Sequence, residues 1–286
     1  MGEAMIDYHI HPEYSIDAKG SVHDYCNEAL ERGIGELCFT THLDLDPRRD
    51  DCYVRVTEKT VRSNSSVWFE DYESTIRRAA DEFIEKNLVV RMGVEVDLYP
   101  GVVEDLPEAF HSTDFDLIIG SIHLLDHLAI SVKEESQRFF TKHSLEDLAE
   151  RYYGLLLEML DTGFFNILGH LDIYRRYGEE YYGAKIHRIW EPHIKDLVKK
   201  MKHHDVGFEI NTSSWRQGLS EPMPETLLID QFVKRGIENV TVGSDSHNPT
   251  TLGAGIQRAY EILHKVGLQE ITTYLHKKPT RKRMAT

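Results

Sequence analysis

The chain has 286 residues, 41% of them hydrophobic and 28% charged, which is enough to bury a sizeable core and unlike the composition of a disordered chain. Its net charge of −15 argues against a general nucleic-acid binder, because affinity for phosphate backbones rests on Lys and Arg. The opening MGEAMIDYHIHPEYS has no basic-then-apolar leader, and no apolar run approaches the roughly 20 residues that span a bilayer, so neither a signal peptide nor a membrane partner is expected.

Seven short apolar segments alternate with amphipathic stretches in chain order. The segment 5–9 is followed by a helical pattern over 21–32, and 36–41 by a helix over 69–86. Two segments, 89–96 and 115–122, then precede a helix over 144–161. Segment 165–169 leads to a helix over 188–204, 206–211 to one over 224–235, and 239–243 to one over 252–266. The near-continuous Val, Ile, Leu and Phe of several segments is how strands buried on both faces read. Ser144 with Asp147 resembles a capping box, and Gly33, Gly163 and Gly236 stand where helix C-terminal glycines belong. This alternation predicts one α/β domain over 1–286, built on a single parallel sheet, closed or nearly closed. The polar stretches 43–67 and 123–143 read as long loops over a site, and the basic KKPTRKR at 277–283 as a solvated chain end. Cys26, Cys38 and Cys52 form neither an even-numbered framework nor a CxxC pair, which predicts a reduced, cytoplasmic setting.

Each segment ends in a residue able to bind metal. In order these are His9 and His11 with Asp17 close behind, His42, Glu95, His123, His170, the Glu209–Asn211 pair, and Asp245 with His247. In parallel α/β barrels the C-terminal strand ends converge on one face, so residues distant in sequence would meet there. Side chains two apart on a strand share a face, which aligns His9 with His11 and Asp245 with His247. Imidazole and carboxylate without thiolate suit Zn, Mn or Fe rather than a cysteine-type structural zinc. Nine ligands exceed the needs of one ion and point to two or three ions with a bridging carboxylate, an arrangement that serves phosphoryl hydrolysis. Such ions would also give an acidic protein the local positive site that an anionic substrate requires. Asp97 and Asp172 are candidates for orienting ligand imidazoles.

With these residues assembled, the chain resembles the polymerase-and-histidinol-phosphatase (PHP) superfamily, and within it the histidinol-phosphatase branch. The matching motifs are HIHPEYSID (9–17), FTTHLD (39–44), GVEVDLYP (93–100), IGSIH (119–123), LGHLDIYRRYG (168–178), EINTSSWR (209–216) and GSDSH (243–247). The resemblance implies a distorted (β/α)7 barrel with three divalent ions at the C-terminal strand ends. One ion would be held by His9, His11, Glu95 and Asp245. A second would take Glu95, His123 and His170, with Glu95 bridging, and the third Asp17, His42 and His247. An arginine at the position of Arg176 is implied as the phosphate-binding group, with Arg175 and Arg216 as further candidates, since an arginine fork matches phosphate geometry. Thr41 stands where an acidic residue commonly precedes the histidine, and SSW (213–215) replaces a glycine-containing stretch.

The expected reaction is hydrolysis of a small phosphate monoester, L-histidinol phosphate first, by a metal-bridging hydroxide, with the general acid open among His42, His247 and Asp17. Other readings are a phosphatase for nucleotides or phosphotyrosine, an amidohydrolase-like enzyme, or a structural metal barrel. Against the amidohydrolase reading, no lysine ends a middle strand to bridge two ions.

Overall fold

The Val-, Ile- and Leu-rich segments become strands because each is flanked by helices that can cover both of its faces. A computed structural model describes residues 4–285. Seven strands form one sheet: β1 (Met5–Ile10), β2 (Ile34–Leu43), β3 (Val89–Asp97), β4 (Leu117–Ser121), β5 (Ile167–Leu168), β6 (Gly207–Asn211) and β7 (Val240–Gly243). They lie side by side in sequence order and every neighbouring pair is parallel. Beyond β7 the chain returns to β1. The His11 amide donates to the Ser246 carbonyl at 2.9 Å, and the Ser246 amide to the His9 carbonyl at 3.3 Å. Asp7, fully buried, accepts from the amides of Ser244 and Gly253 at 2.9 Å each and ties the same seam. The expected α/β barrel of seven strands is what forms, nearly closed.

Register fixes which side chains share the interior. His42 on β2 lies opposite Glu95 on β3, and Glu95 opposite Ile119 on β4, so their side chains emerge on one face. The outer helices follow their local signals. Ser21 forms a full capping box with Asp24 at the start of Val22–Arg32, and Gly33 ends that helix at φ 69°. At Leu145–Thr162 the Ser144 hydroxyl accepts from the Asp147 amide and Gly163 ends the helix at φ 65°, but only that half of the expected box forms. The buried face of this helix, including Leu148, Tyr152, Leu156 and Leu160, contributes roughly 1.5–3 kcal/mol per large side chain removed from water.

The structure differs from the sequence reading where short elements escape periodicity. The stretch 43–67 contains an antiparallel hairpin, Tyr53–Val56 with Lys59–Arg62. The stretch 123–143 contains a second, Leu124–Leu125 with Leu128–Ala129, and a helix, Lys133–Phe140. The stretch 188–204 begins as turns and becomes α-helix only over Ile194–His203, and the helix Arg175–Tyr182 lies where none was expected. The basic tail is not a loose end. It is the strand Lys278–Arg283, paired antiparallel with Glu270–Leu275, its side chains mostly exposed and its outer edge unpaired among the described residues. No helix among them is long and apolar enough to cross a membrane.

Gly243 ends β7 where three strands crowd together. A Cβ there would collide with Glu209 Oε1 and the Cβ of His9. Substituting Gly243→Ala should therefore lower unfolding free energy by about 1–3 kcal/mol in urea denaturation. An unchanged midpoint would mean that this end of the barrel yields without cost.

Candidate metal centre

Six strand ends and the turns after them bring nine side chains to one end of the barrel, with Glu95 at the middle. Its Oε2 lies 3.2 Å from His9 Nε2, 3.4 Å from His11 Nε2 and 3.0 Å from His42 Nδ1. Its Oε1 lies 2.9 Å from His170 Nε2 and 3.6 Å from His123 Nε2. Asp245 Oδ1 stands 3.8 Å from His9 Nε2 and 3.4 Å from His11 Nε2. At the open edge, His247 Nε2 is 3.3 Å from His42 Nε2 and 3.3 Å from Asp17 Oδ2. The structure thus gathers all nine expected positions. Asp17 is the most exposed of the nine and comes from the loop after β1.

The donor atoms fit divalent cations. His9 Nε2, His11 Nε2, His42 Nδ1 and Glu95 Oε2 are buried without a hydrogen-bond partner, a costly state for a polar atom unless a cation is shared. Pairs of imidazole nitrogens face each other at 3.0 Å (His123, His170) and 3.3 Å (His42, His247), a spacing natural for two ligands of one ion. Groups of three that lie within 4.8 Å of one another include His9–His11–Glu95, Glu95–His123–His170 and His11–His42–His247.

Electrostatics leads to the same conclusion. Burial pushes Glu95 upward, but His9, His123, His170 and His42 around it hold the carboxylate well below its usual range. Burial depresses His42, yet Glu95 and Asp17 hold its ring up at about 10; His123, also opposed by burial, is held at about 9 by Glu95 and Asp97. His11, buried and facing the His42 and His247 rings, is pushed well below the imidazole range. Protons on His42 and His123 and divalent ions are competing answers to the same carboxylates.

A second layer fixes the ligand rings. Glu209 on β6 holds His9 Nδ1 at 2.6 Å and accepts from the His170 amide at 2.9 Å. Asp97 accepts from the His123 amide at 2.9 Å. The Ser121 hydroxyl donates to Glu95 Oε1 at 2.6 Å, and the Ser15 hydroxyl lies 3.3 Å from His11 Nδ1 and 2.9 Å from Thr41 Oγ1. Thr41 therefore faces Ser15, behind the cluster. Glu209 was visible as a strand-end carboxylate two residues before Asn211, but nothing in the sequence separated it from a ligand. Asp44, two residues past His42, also lines the pocket, and burial raises its carboxyl to about 6 against the pull of His42.

A cavity of about 650 Å3 opens over the cluster, walled by both insertions. Arg176 lines it, and its guanidinium has no carboxylate or carbonyl partner among the described residues, stacking only on Tyr177 at 4.9 Å. The other two arginines are engaged by groups of the protein. Arg175 is buried and forks onto Asp172 with bonds of 2.7 and 3.1 Å, because the first turn of its helix aims it into the barrel wall. Asp172 is thereby committed to Arg175 and to the Glu225 amide rather than to a ligand imidazole. Arg216 donates to the carbonyls of Ser244 (2.7 Å) and Asp245 (3.2 Å), holding the turn after β7. Across the mouth, Arg49 binds Glu135 through two bonds of 2.7 and 3.0 Å and the His127 carbonyl at 3.1 Å, while His127 pairs with Asp46 at 2.5 Å. These contacts clasp the two insertions together.

If Glu209 sets the His9 ring, Glu209→Gln should weaken metal affinity about 10–100-fold in calorimetric titration while the barrel still folds. Equal affinity in the variant would remove Glu209 from that role.

The PHP domain family pattern matches residues 7–213. The chain is 28% identical over 274 residues to a protein of Deinococcus radiodurans named "Probable histidinol-phosphatase", covering 96% of this chain and 98% of that one. It is 27% identical over 275 residues to the Lactococcus lactis protein named "Histidinol-phosphatase", covering 94% of each. The crystal structure of histidinol phosphate phosphatase from Lactococcus lactis, complexed with Zn, L-histidinol and phosphate, matches with a TM-score of 0.80 at 22% identity, covering 97% of this chain and 99% of that chain. That likeness is one of fold. The matched span runs from β1 to the turn after β6 and carries seven of the nine clustered side chains, and this chain belongs to the PHP domain family.

Proposed function

We propose that the chain is a one-domain, metal-dependent phosphomonoester hydrolase acting on L-histidinol phosphate. The observation that carries this reading is an unpaired arginine, Arg176, in the same cavity as a nine-residue histidine–carboxylate cluster centred on Glu95. Three divalent ions held there, Zn first and Mn or Fe as alternatives, would neutralise phosphate oxygens and make water nucleophilic near neutral pH. Arg176 offers a planar fork to the phosphate from within the same cavity. Ile173, Tyr177 and Met223 line the cavity as an apolar surface for the rest of the substrate. Glu134 stands at the rim, without an ion-pair partner among the described residues, where a substrate ammonium could meet it. The leaving alkoxide needs a proton or a cation at its oxygen, and the Asp17–His247 pair at the pocket edge is placed to answer that need. The names of the relatives, matched along nearly the full length of both chains, support the substrate assignment. The three cysteines are buried and unpaired, which suits a reducing cytoplasm.

The test is phosphate release by protein purified without chelator. L-Histidinol phosphate should be turned over with kcat/KM about 100-fold above a nucleoside monophosphate or a phosphotyrosine peptide, with no amide cleavage. Chelation should abolish turnover and added Zn or Mn restore it. Equal rates across the panel would overturn the substrate assignment, and turnover indifferent to chelation would overturn the metal reading. Arg176→Ala removes a charged fork worth about 1.5–3 kcal/mol, so kcat/KM should fall roughly 10–150-fold. Unchanged kinetics would place the phosphate elsewhere.

A further inference from the structure

We propose that Arg55 is a positioning residue for Asp17: from the hairpin strand Tyr53–Val56 it braces the turn that presents this carboxylate to an ion shared with His42 and His247. This inference rests on the metal-binding part of the proposed function. The other two carboxylates of the cluster are tethered through their side chains. Glu95 accepts from the Ser121 hydroxyl at 2.6 Å, and Asp245 accepts from Ser213 at 3.1 Å and Asn211 at 3.3 Å. The Asp17 side chain is 60% exposed and, among the described residues, its carboxylate faces only the rings of His247 at 3.3 Å and His42 at 3.9 Å. Where it points is therefore set by its backbone.

That backbone is a short turn over residues 13–20, closed by the Glu13 amide donating to the Gly20 carbonyl at 2.9 Å. The Arg55 guanidinium donates to three of its carbonyls: Ile16 at 2.7 Å, Glu13 at 2.9 Å and Ala18 at 3.2 Å. Ile16 and Ala18 flank Asp17 directly. The Arg55 amide also donates to the Tyr14 carbonyl at 2.8 Å, and Val54 bridges Ser15 in antiparallel fashion, so hairpin and turn are joined through their backbones as well. Two further anchors hold the turn. The Tyr14 hydroxyl donates to Asp71 at 2.5 Å, and the Lys19 amide donates to the His247 carbonyl at 2.9 Å. Arg55 has no carboxylate partner among the described residues, and its side-chain hydrogen bonds all go to this turn. Guanidinium donors lie fixed in one plane, so three carbonyls bound to them lose their freedom together. Without that fork, the tip carrying Asp17 would have to be ordered each time an ion binds.

The test is calorimetric titration of chelator-stripped protein with Zn or Mn, without substrate. The wild type should show a class of sites that Asp17→Asn loses or weakens. Arg55→Met, which keeps the stem and removes the fork, should weaken that same class about tenfold or more while the other equivalents persist. In the Asp17→Asn background, Arg55→Met should add less than about a twofold effect, because the group it positions is already gone. Arg55→Lys, which returns the charge and part of the donor set, should recover part of the loss. Melting of the stripped proteins checks that each variant folds, and Arg55→Lys takes over the comparison if Arg55→Met does not. If the Arg55 variant binds every equivalent within about twofold of wild type, or weakens binding as much without Asp17 as with it, the brace is wrong and the proposed function stands. Wild-type protein that takes up no divalent metal would overturn the metal reading itself, and the brace with it.

Discussion

Glu95 is a carboxylate removed from water and surrounded by five imidazoles, and its charge has to be answered inside the barrel. An isolated buried carboxylate would neutralise itself by taking up a proton. Here the ring nitrogens around both of its oxygens reverse that tendency and keep it ionised. Parallel register makes this possible, because it sets His42 directly beside Glu95 and lets the β1 histidines reach across from two strands away. Remove the carboxylate and the two halves of the cluster, His9–His11–His42 and His123–His170, lose the group whose oxygens face ring nitrogens of both.

The layer behind the ligands explains why the rings can stay so close. Glu209, Asp97, Ser15 and Ser121 each hold a ligand side chain or its backbone from the far side. Rings tethered in this way pay their conformational entropy on folding rather than on binding an ion. Gly243 belongs to the same arrangement, since only the absence of a side chain lets Glu209 and His9 meet.

The barrel was legible because a strand buried on both faces is a continuous apolar word, and because strand ends in a parallel barrel have one place to go. His9, His11 and Glu95 stand at such ends, so their convergence could be anticipated from topology alone. The arginines could not be sorted in the same way. Arg175 and Arg176 are adjacent in sequence, and only the path of the unforeseen helix Arg175–Tyr182 decides that the first is walled in against Asp172 while the second faces the cavity. Glu209 carries the same chemistry as the ligands, so period and residue type could not tell a group that touches a ring from one that would touch an ion. The two hairpins in the insertions are four and two residues per strand, too short for alternation to register.

The strand Lys278–Arg283 at the far end of the chain has a consequence for how copies of this protein meet. Its free edge offers amides and carbonyls that another strand could join at about 4.8 Å. Lys278 and Arg283 on this strand have no acidic partner among the described residues, whereas Lys282 pairs with Glu36 and Arg281 with Glu238, and Pro279 removes one donor. An identical strand drawing alongside would crowd like charges together, so an aggregation-prone template is guarded by the most cationic run in an otherwise anionic molecule.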